Sequence, residues 1–276
     1  MGPDPELRRR LVHSYDEFER VEETFNAALD ESLRPRSPEL LYEIVQGLEL
    51  PERSLVVDVG CGEGSHSYRL SERFGFSVVG IDPIPHQVEV ATAGLSSLDA
   101  DAAARIRFTL GAAETLPVED RAADLVWCRD VLVHVADLER AYAEFRRVLR
   151  DEGRVLVYQM FGTDRLEPRE AEWLWRALGV VEGSLDPART EAAIAAAGLR
   201  VDERIALGSE WGEWSEERSG AAGRKLLYAA RLLRDPERYR AQFGQPAYEI
   251  MLGDCLWYVY AMIGKLERRA YLLIRP

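Results

Sequence analysis

The feature that most constrains the fold is a short apolar run that leads directly into a turn containing three glycines. This segment, Leu55–Gly64, reads LVVDVGCGEG and is followed by a helix-forming stretch. A strand, a glycine turn and a helix in this order open a βαβ unit, so a parallel sheet is expected. Glycines let the backbone approach a ligand closely, and the helix N-terminus offers free N–H groups to an anion. The turn indicates a ligand site, although a tight turn without a ligand has the same pattern.

Short apolar runs and helical segments continue to alternate after this turn, which predicts an α/β, doubly wound sheet. The predicted strands cover residues 55–59, 78–82, 106–110, 123–128, 153–161, 200–207 and 269–274. The predicted helices of this core cover residues 65–74, 86–95, 138–149, 170–178 and 186–197. These boundaries give an α/β core over residues 51–207, with its final strand in residues 267–276.

Helices are predicted on both sides of this core. Apolar residues at three- and four-residue spacing predict a helix over residues 5–31, and a second helix covers 39–48, so residues 1–50 form an N-terminal helical segment. Two more helices, over 216–233 and 236–266, lie between the sixth and seventh strands. We expect residues 208–266 to be a helical insertion that caps the site together with the N-terminal segment.

The second strand ends in an acidic residue, Asp82, about twenty residues after the glycine turn. A carboxylate in this position can accept hydrogen bonds from both hydroxyls of a ribose. An alternative role is to cap the following helix. The turn and Asp82 together fit an adenosyl cofactor or a nicotinamide dinucleotide.

Charge and cysteine content narrow the class of partner. The formal net charge is −13, which opposes binding to nucleic acid, because that binding depends on lysine and arginine. The three cysteines are widely spaced, so neither a disulfide framework nor a zinc site is indicated, and we expect no metal and a cytoplasmic location. The most apolar late stretch, residues 250–263, is too short to span a bilayer, so no membrane association is expected.

Four segments in succession resemble the class I S-adenosylmethionine-dependent methyltransferases. Residues Asp58–Gly64, DVGCGEG, are similar to the first motif of that family, a GxGxG turn with an acidic residue two places before the first glycine. The dinucleotide fingerprint GxGxxG is spaced differently. Three segments follow in the family's order: Asp82, Gly111–Pro117 and Asp124–Val135. The resemblance covers residues 54–161 and implies a seven-stranded, mostly parallel sheet that ends in an antiparallel hairpin.

The resemblance implies S-adenosyl-L-methionine as cofactor and a set of residues that contact it. These residues are Tyr15, Asp58, Gly60, Cys61, Gly62, Asp82, Pro83, Gln87, Ala113, Glu114, Cys128 and Arg129. Tyr15 resembles a lid residue of small-molecule relatives, and a core tyrosine on an amphipathic helix is the alternative. The chain departs from the family at Ala112, where many relatives carry an aspartate that receives the adenine amino group. Adenine recognition then falls to the backbone or to Glu114.

Residues after the fourth and fifth strands are expected to face the methyl acceptor, because ligands of doubly wound sheets bind at the carboxyl ends of the strands. They include Asp130, Tyr158 and Gln159, with His134 as the candidate catalytic base. A histidine that only packs beneath the cofactor is the alternative. Trp211 and Trp214 can form an aromatic wall, or can pack the insertion onto the core.

The predicted function is transfer of a methyl group to an O, N or C atom of a small organic molecule, in secondary metabolism. A nucleic-acid acceptor is disfavoured further, because no Asn-Pro-Pro-Tyr-like motif follows the fourth strand. One alternative is a cofactor-binding family member with a different reaction, such as cyclisation. A nicotinamide-dependent oxidoreductase is a weaker alternative, because the glycine spacing and the absence of a Tyr-x-x-x-Lys pair oppose it. The oligomeric state stays open, with a homodimer among the possibilities.

Overall fold

The computed structural model describes residues 4–276 and divides into two units, one up to Pro35 and one over Arg36–Pro276. The first unit contains helix α1, Pro5–Leu29. The Asp4 carboxylate caps this helix by accepting a hydrogen bond from the Glu6 N–H at 3.0 Å, and Pro5 stands at the first helical position. α1 ends two residues before the predicted end of the helix at residue 31.

The second unit contains a seven-stranded sheet with helices on both faces. Its strands are β1 (Leu55–Val59), β2 (Ser77–Asp82), β3 (Ile106–Leu110), β4 (Ala123–Arg129), β5 (Leu149–Gly162), β6 (Arg200–Gly208) and β7 (Leu266–Ile274). Its helices are α2 (Leu40–Gly47), α3 (Ser65–Phe74), α4 (Pro85–Gly94), α5 (Ala100–Ala104), α6 (Leu138–Val148), α7 (Pro168–Leu178), α8 (Pro187–Ala196), α9 (Glu210–Ser219), α10 (Ala221–Arg234), α11 (Pro236–Phe243) and α12 (Gln245–Met262).

The sheet has the strand order β3-β2-β1-β4-β5-β7-β6. Strands β1 to β5 are parallel to one another. β7 lies between β5 and β6 and is antiparallel to both. The order reverses between β1 and β4, which is the switch point where doubly wound sheets bind ligands. The predicted seven-stranded, mostly parallel, doubly wound sheet is therefore confirmed.

Two apolar cores lie on opposite faces of this sheet. Alternate residues of β1 divide between them: Val57 packs with residues of α6 and α8, and Val56 packs with residues of α2 and α3. This division follows from the two-residue period of a strand, and it explains why β1 reads as a continuous apolar run. Both faces of the central strands are covered, which leaves their carboxyl ends as the place for a site.

The segment between β6 and β7 differs from the prediction of two helices. The structure has four, α9 to α12, because two glycines interrupt the predicted ones. Gly220 adopts a φ of +65° between α9 and α10, and Gly244 a φ of +84° between α11 and α12. A positive φ does not continue a right-handed helix, and glycine adopts it without steric cost. The final strand also begins earlier, at Leu266 rather than at residue 269.

Helices α9 and α12 approach each other closely at Gly212. A Cβ at this position would lie 1.9 Å from the sulfur of Met262, so a larger residue would force the Met262 side chain to move. α9 is also tied to the segment before α2, because the Arg36 Nε–H donates to the Glu210 carboxylate at 2.7 Å. Within residues 4–276, helices are too short or too polar to cross a membrane.

Candidate active site

The glycine turn after β1 is held against β2 by its own backbone. The N–H groups of Gly60 and Cys61 both donate to the Ile81 carbonyl, at 2.7 and 3.1 Å. Gly60 has a φ of +71°, and a Cβ there would lie 2.1 Å from Cγ2 of Val131. At Gly62, with a φ of +52°, a Cβ would meet only the Gln87 side-chain oxygen, at 3.9 Å. Packing therefore demands glycine at position 60, whereas position 62 borders open space.

Asp82 lies beside this turn with its carboxylate fixed by two backbone donors. One oxygen accepts from the Gly62 N–H at 3.0 Å, and the other accepts from the Ile84 N–H at 2.9 Å. The residue is 7% exposed. Each carboxylate oxygen has two lone-pair positions, so both oxygens can accept one further hydrogen bond. The arrangement can hold a pair of hydroxyl groups.

Asp58, the penultimate residue of β1, is buried deeper than Asp82. The Ser67 hydroxyl donates to its carboxylate at 2.6 Å. Burial raises the pKa of Asp58 to about 7; the Ser67 hydrogen bond lowers the pKa, and the nearby Asp82 raises it further. The ionisation state of this carboxyl therefore changes near neutral pH, and a cationic ligand group would favour its ionised form.

The other predicted cofactor residues lie in several parts of the structure. Gln87 is half-buried near Gly62, Pro83 is exposed, and Cys61 and Cys128 are buried. In the loop after β3, Ala113 is buried and Glu114 is half-buried. The carbonyl of Glu114 accepts a hydrogen bond from the Arg140 Nε–H at 3.1 Å. Tyr15 lies on α1, in the other unit.

A polar chain that sequence reasoning missed joins this region to the end of β4. Nδ1 of His66 contacts the Tyr42 hydroxyl at 2.5 Å, and Nε2 of His66 contacts the Arg129 guanidinium. Because Arg129 can only donate, Nε2 accepts and the imidazole proton is on Nδ1. Burial, together with the charges of Arg129 and Arg69, lowers the pKa of His66 to about 4. His66 is therefore neutral, and it fixes one end of Arg129.

Beyond Arg129 lies an aromatic pocket of about 240 Å³, formed where β4, β5 and β7 meet α9 and α12. Its lining residues are Pro38, Arg129, Asp130, Tyr158, Met160, Trp211, Trp214, Ser215, Trp257, Tyr258 and Arg268. The rings of Tyr158 and Trp211 are stacked, with centroids 4.3 Å apart and an interplanar angle of 10°. The combination of flat apolar walls with charged side chains is typical of a small-molecule site.

Four of the predicted acceptor residues line this pocket: Asp130, Tyr158, Trp211 and Trp214. Gln159 does not, because successive side chains of a strand point to opposite faces and Tyr158 occupies the pocket side. The Gln159 side chain is fully buried, and its amide donates to the Ser184 carbonyl. The structure therefore separates Gln159 from the residues with which the sequence grouped it.

His134 is exposed in a 3₁₀ turn after β4 and is not part of the pocket lining. Its Nδ1 lies 2.9 Å from the Gly179 carbonyl. Because a carbonyl can only accept, Nδ1 carries the proton and Nε2 carries the free lone pair. This tautomer is the one that a base acting through Nε2 requires.

Arg268 is the most informative residue that sequence reasoning missed. It lies opposite Met160 in the β5–β7 pairing and is only 4% exposed. Its sequence neighbours, Glu267 and Arg269, are also charged, so no local pattern distinguished it as a buried residue. The prediction that β7 begins at residue 269 excluded it. Trp257 and Tyr258 carried no local signal, because their role depends on how α12 packs.

The strand order and the glycine turn with its acidic partner define a class I methyltransferase fold. Residues 57–157 match the family described as "Methyltransferase domain", which confirms the resemblance inferred from the motifs. This segment of the chain is similar to that domain over somewhat more than a third of the chain's length. The family model extends from within β1 to within β5, so it includes the glycine turn, Asp82 and the end of β4.

Similar proteins agree with this class. "Methyltransferase GfsG" of Streptomyces halstedii is 33% identical over 122 residues, which cover 44% of this chain and 42% of GfsG. The matched part therefore spans less than half of that relative's length. Phosphoethanolamine N-methyltransferase 2 of Haemonchus contortus, solved with phosphomonomethylethanolamine and S-adenosylhomocysteine, superimposes with a TM-score of 0.65 at 19% identity. That match covers 89% of this chain and 54% of the nematode enzyme.

A solved structure that matches almost the whole chain is that of the [4+2]-cyclase SpnF. It superimposes with a TM-score of 0.67 at 18% identity and covers 95% of both chains. At this identity the likeness concerns the fold alone. Because 95% of this chain is covered, the match includes most of the helical insertion between β6 and β7.

Proposed function

We propose that this protein transfers a methyl group from S-adenosyl-L-methionine to an O, N or C atom of a small organic molecule. The observation that carries the proposal is the position of Arg129. It lines the aromatic pocket and is bonded to His66, the second residue of the helix after the glycine turn. Arg129 therefore links the helix that follows the glycine turn to the small-molecule pocket, and a reaction between two bound ligands requires two such adjoining sites.

The residues around the turn fit this cofactor. Asp82 retains acceptor capacity for two ribose hydroxyls, and the space beside Gly62 admits a ligand. We assign Asp58 to the ammonium group of the amino-acid portion, because a buried carboxyl gains most from a cationic partner. Ala113 and Glu114 would contact the adenine. When bound, the cofactor supplies a methyl group on a positively charged sulfonium.

The chain's own residues would position the acceptor and receive its proton. The stacked Tyr158 and Trp211 exclude water from one wall of the pocket. Burial raises the pKa of Tyr158 far above its ordinary value, so its hydroxyl stays protonated and is no base at neutral pH. We assign His134 as the general base for an acceptor that must lose a proton, because its Nε2 lone pair is free and it lies close enough to act electrostatically on Asp130 of the pocket lining.

The relatives support a small acceptor. GfsG and the Haemonchus contortus enzyme are named as methyltransferases, and the latter was solved with a small phosphorylated amine. On this basis we propose that the methyl acceptor is a compound of secondary metabolism. A cytoplasmic location is part of the proposal, because Cys61, Cys128 and Cys255 are all buried and unpaired, as in a reducing compartment.

Isothermal titration calorimetry with S-adenosylmethionine, S-adenosylhomocysteine and NADH tests the cofactor assignment. We expect saturable binding of the two adenosyl ligands and none of NADH. Binding of NADH alone would contradict the proposal. If the adenosyl ligands bind but mass spectrometry finds no methylated product across an acceptor screen, a different reaction such as cyclisation replaces methyl transfer.

A further inference from the structure

The charged groups of the aromatic pocket are not balanced. Two guanidiniums, those of Arg129 and Arg268, and one carboxylate, that of Asp130, line it. The Asp130 side chain is 46% exposed, and its carboxylate is 4.0 Å from the Arg129 Nε, too far for a hydrogen bond. The lining therefore carries a net positive charge. Of its three charged side chains, Asp130 is the most exposed to solvent.

Arg268 is the more buried of the two guanidiniums. Its NH1 donates to the Gly208 carbonyl at 3.2 Å, and its guanidinium carbon lies 5.6 Å from the ring centre of Tyr258. In the described part of the chain, no carboxylate lies within 4.0 Å of this guanidinium, and Asp130 acts on it only over a longer distance. Burial of an arginine without a close anionic partner is costly, because the charged guanidinium loses its hydration. The cost falls when an anion enters the pocket.

Two further donors at this pocket lack an acceptor. The Nε–H of Arg129 and the indole N–H of Trp211 are both buried and have no hydrogen-bond partner within the described residues. Trp211 itself is 5% exposed. The remaining contact of Arg129 is to His66, which is neutral and so does not compensate its charge. Orphaned buried donors of this kind are rare, and a ligand with acceptor atoms would satisfy them.

The other walls of the pocket are aromatic. Trp211 stacks on Tyr158, and Arg129 lies 5.6 and 5.7 Å from the centres of these two rings. Trp214, Trp257 and Tyr258 are the other aromatic residues of the lining. Such walls suit a flat ring. The pocket volume of about 240 Å³ is below the roughly 300–1,000 Å³ of sites for drug-sized ligands, so the ligand is expected to be small.

We propose that the methyl acceptor is a small aromatic acid, whose anionic group is held by Arg268, Arg129 and the Trp211 N–H and whose ring lies between the aromatic walls. The anionic group is a carboxylate or a phosphate, since both offer the oxygen pair that guanidiniums bind. This inference rests on the proposed function for the identity of the pocket as the acceptor site. It does not depend on which acceptor atom is methylated.

Calorimetry with matched probes tests the proposal on the full chain, with and without saturating S-adenosylhomocysteine. The probes are 4-hydroxybenzoate, phenyl phosphate and the neutral methyl 4-hydroxybenzoate. We expect at least one acid to bind more than tenfold more tightly than the neutral ester. The preferred acid identifies the anion as carboxylate or phosphate. Equal affinity for acid and ester, or no binding of either acid at millimolar concentration to folded protein, would overturn the proposal.

Three substitutions test which residues bind the anionic group of the acceptor. Arg268→Met should weaken acid binding at least tenfold without changing the affinity for the ester, and Arg200→Met, on the exposed part of β6, should change neither. Asp130→Asn should tighten acid binding several-fold, because it removes the opposing charge. If Arg268→Met does not fold, the acid–ester comparison and Asp130→Asn still decide the question. Unchanged acid affinity in a folded Arg268→Met would contradict the assignment.

The same titrations separate this inference from the proposed function. Failure to bind S-adenosylhomocysteine would reject the cofactor assignment, while the probe acids still report on the pocket by themselves. Conversely, intact S-adenosylhomocysteine binding with no preference for acids would reject only the acceptor class.

Discussion

The glycine turn is held by hydrogen bonds among residues 58–84, whereas the aromatic pocket draws side chains from segments as distant as Pro38 and Arg268. In the turn, conformation is fixed by glycines and by hydrogen bonds to the neighbouring strand. In the pocket, position is fixed by how α9 and α12 pack on the sheet. The first region is a local property of the chain, and the second is a property of the assembled domain. The two should therefore respond differently to substitution.

The largest expected effect is a loss of turnover without a change in cofactor affinity. His134→Ala should lower turnover by about 10²–10⁴-fold, the usual contribution of a positioned general base, if the acceptor loses a proton. Affinity for S-adenosylhomocysteine should not change, because His134 lies outside the glycine turn. Steady-state kinetics and calorimetry measure the two quantities, with His86→Ala as the exposed-histidine control. Near-normal turnover would make His134 a packing residue, held by its bond to Gly179.

Substitution of Gly60 should chiefly lower stability, whereas substitution of Gly62 should chiefly weaken cofactor binding. Gly60→Ala places a Cβ against Val131 at a positive φ, which should cost about 2–5 kcal/mol of stability from overpacking and strain together. Gly62→Ala meets only a distant Gln87 oxygen, so it should cost about 1–2 kcal/mol from its positive φ alone. It should, however, weaken cofactor binding by filling the open space. Denaturant unfolding and calorimetry on both variants measure this. Equal stability losses would contradict the distinction.

Loss of the Asp82 carboxylate should weaken cofactor binding by about 10–100-fold, since hydrogen bonds to a charged group contribute roughly 1.5–3 kcal/mol. Asp82→Ala also leaves the Gly62 and Ile84 N–H groups without their acceptor, which loosens the turn. Calorimetry with S-adenosylhomocysteine measures the loss. Glu89→Ala, on the exposed face of α4, serves as the control. Unchanged affinity in Asp82→Ala would remove the ribose assignment.

The smallest effect is a pH dependence. Because the pKa of Asp58 is raised to about 7 without ligand, a bound ammonium group should lower it, so affinity falls below pH 7 by up to about tenfold per unit. Affinity should be constant above pH 7. In the free protein the sign is opposite: the raised pKa lowers stability as pH rises from about 4 to 7. Calorimetry at pH 6 and 8 tests this, and Asp58→Asn should abolish the dependence.

Sequence reasoning was most accurate where one segment carries the whole signal. All seven strands lie within the predicted segments or overlap them, and the glycine turn and Asp82 were recognised from spacing alone. It was less accurate for the insertion, where Gly220 and Gly244 divide two predicted helices into four. Local signals were present at both places and were not applied: Ser219 and Gly220 follow a charged run, and Pro246 stands two residues after Gly244. A glycine just past a helix and a proline at the start of the next are typical of a helix boundary.

The site shows the same division. The sequence by itself determined the strand–turn–helix unit, the acidic residue beside it and the ends of β4 and β5, because backbone geometry and strand alternation are local constraints. Tertiary structure alone decided that Arg268 enters the pocket, that His66 fixes Arg129 and that Gln159 turns towards Ser184. These outcomes depend on contacts between segments far apart in the chain. Such contacts are set by packing, which no local pattern encodes.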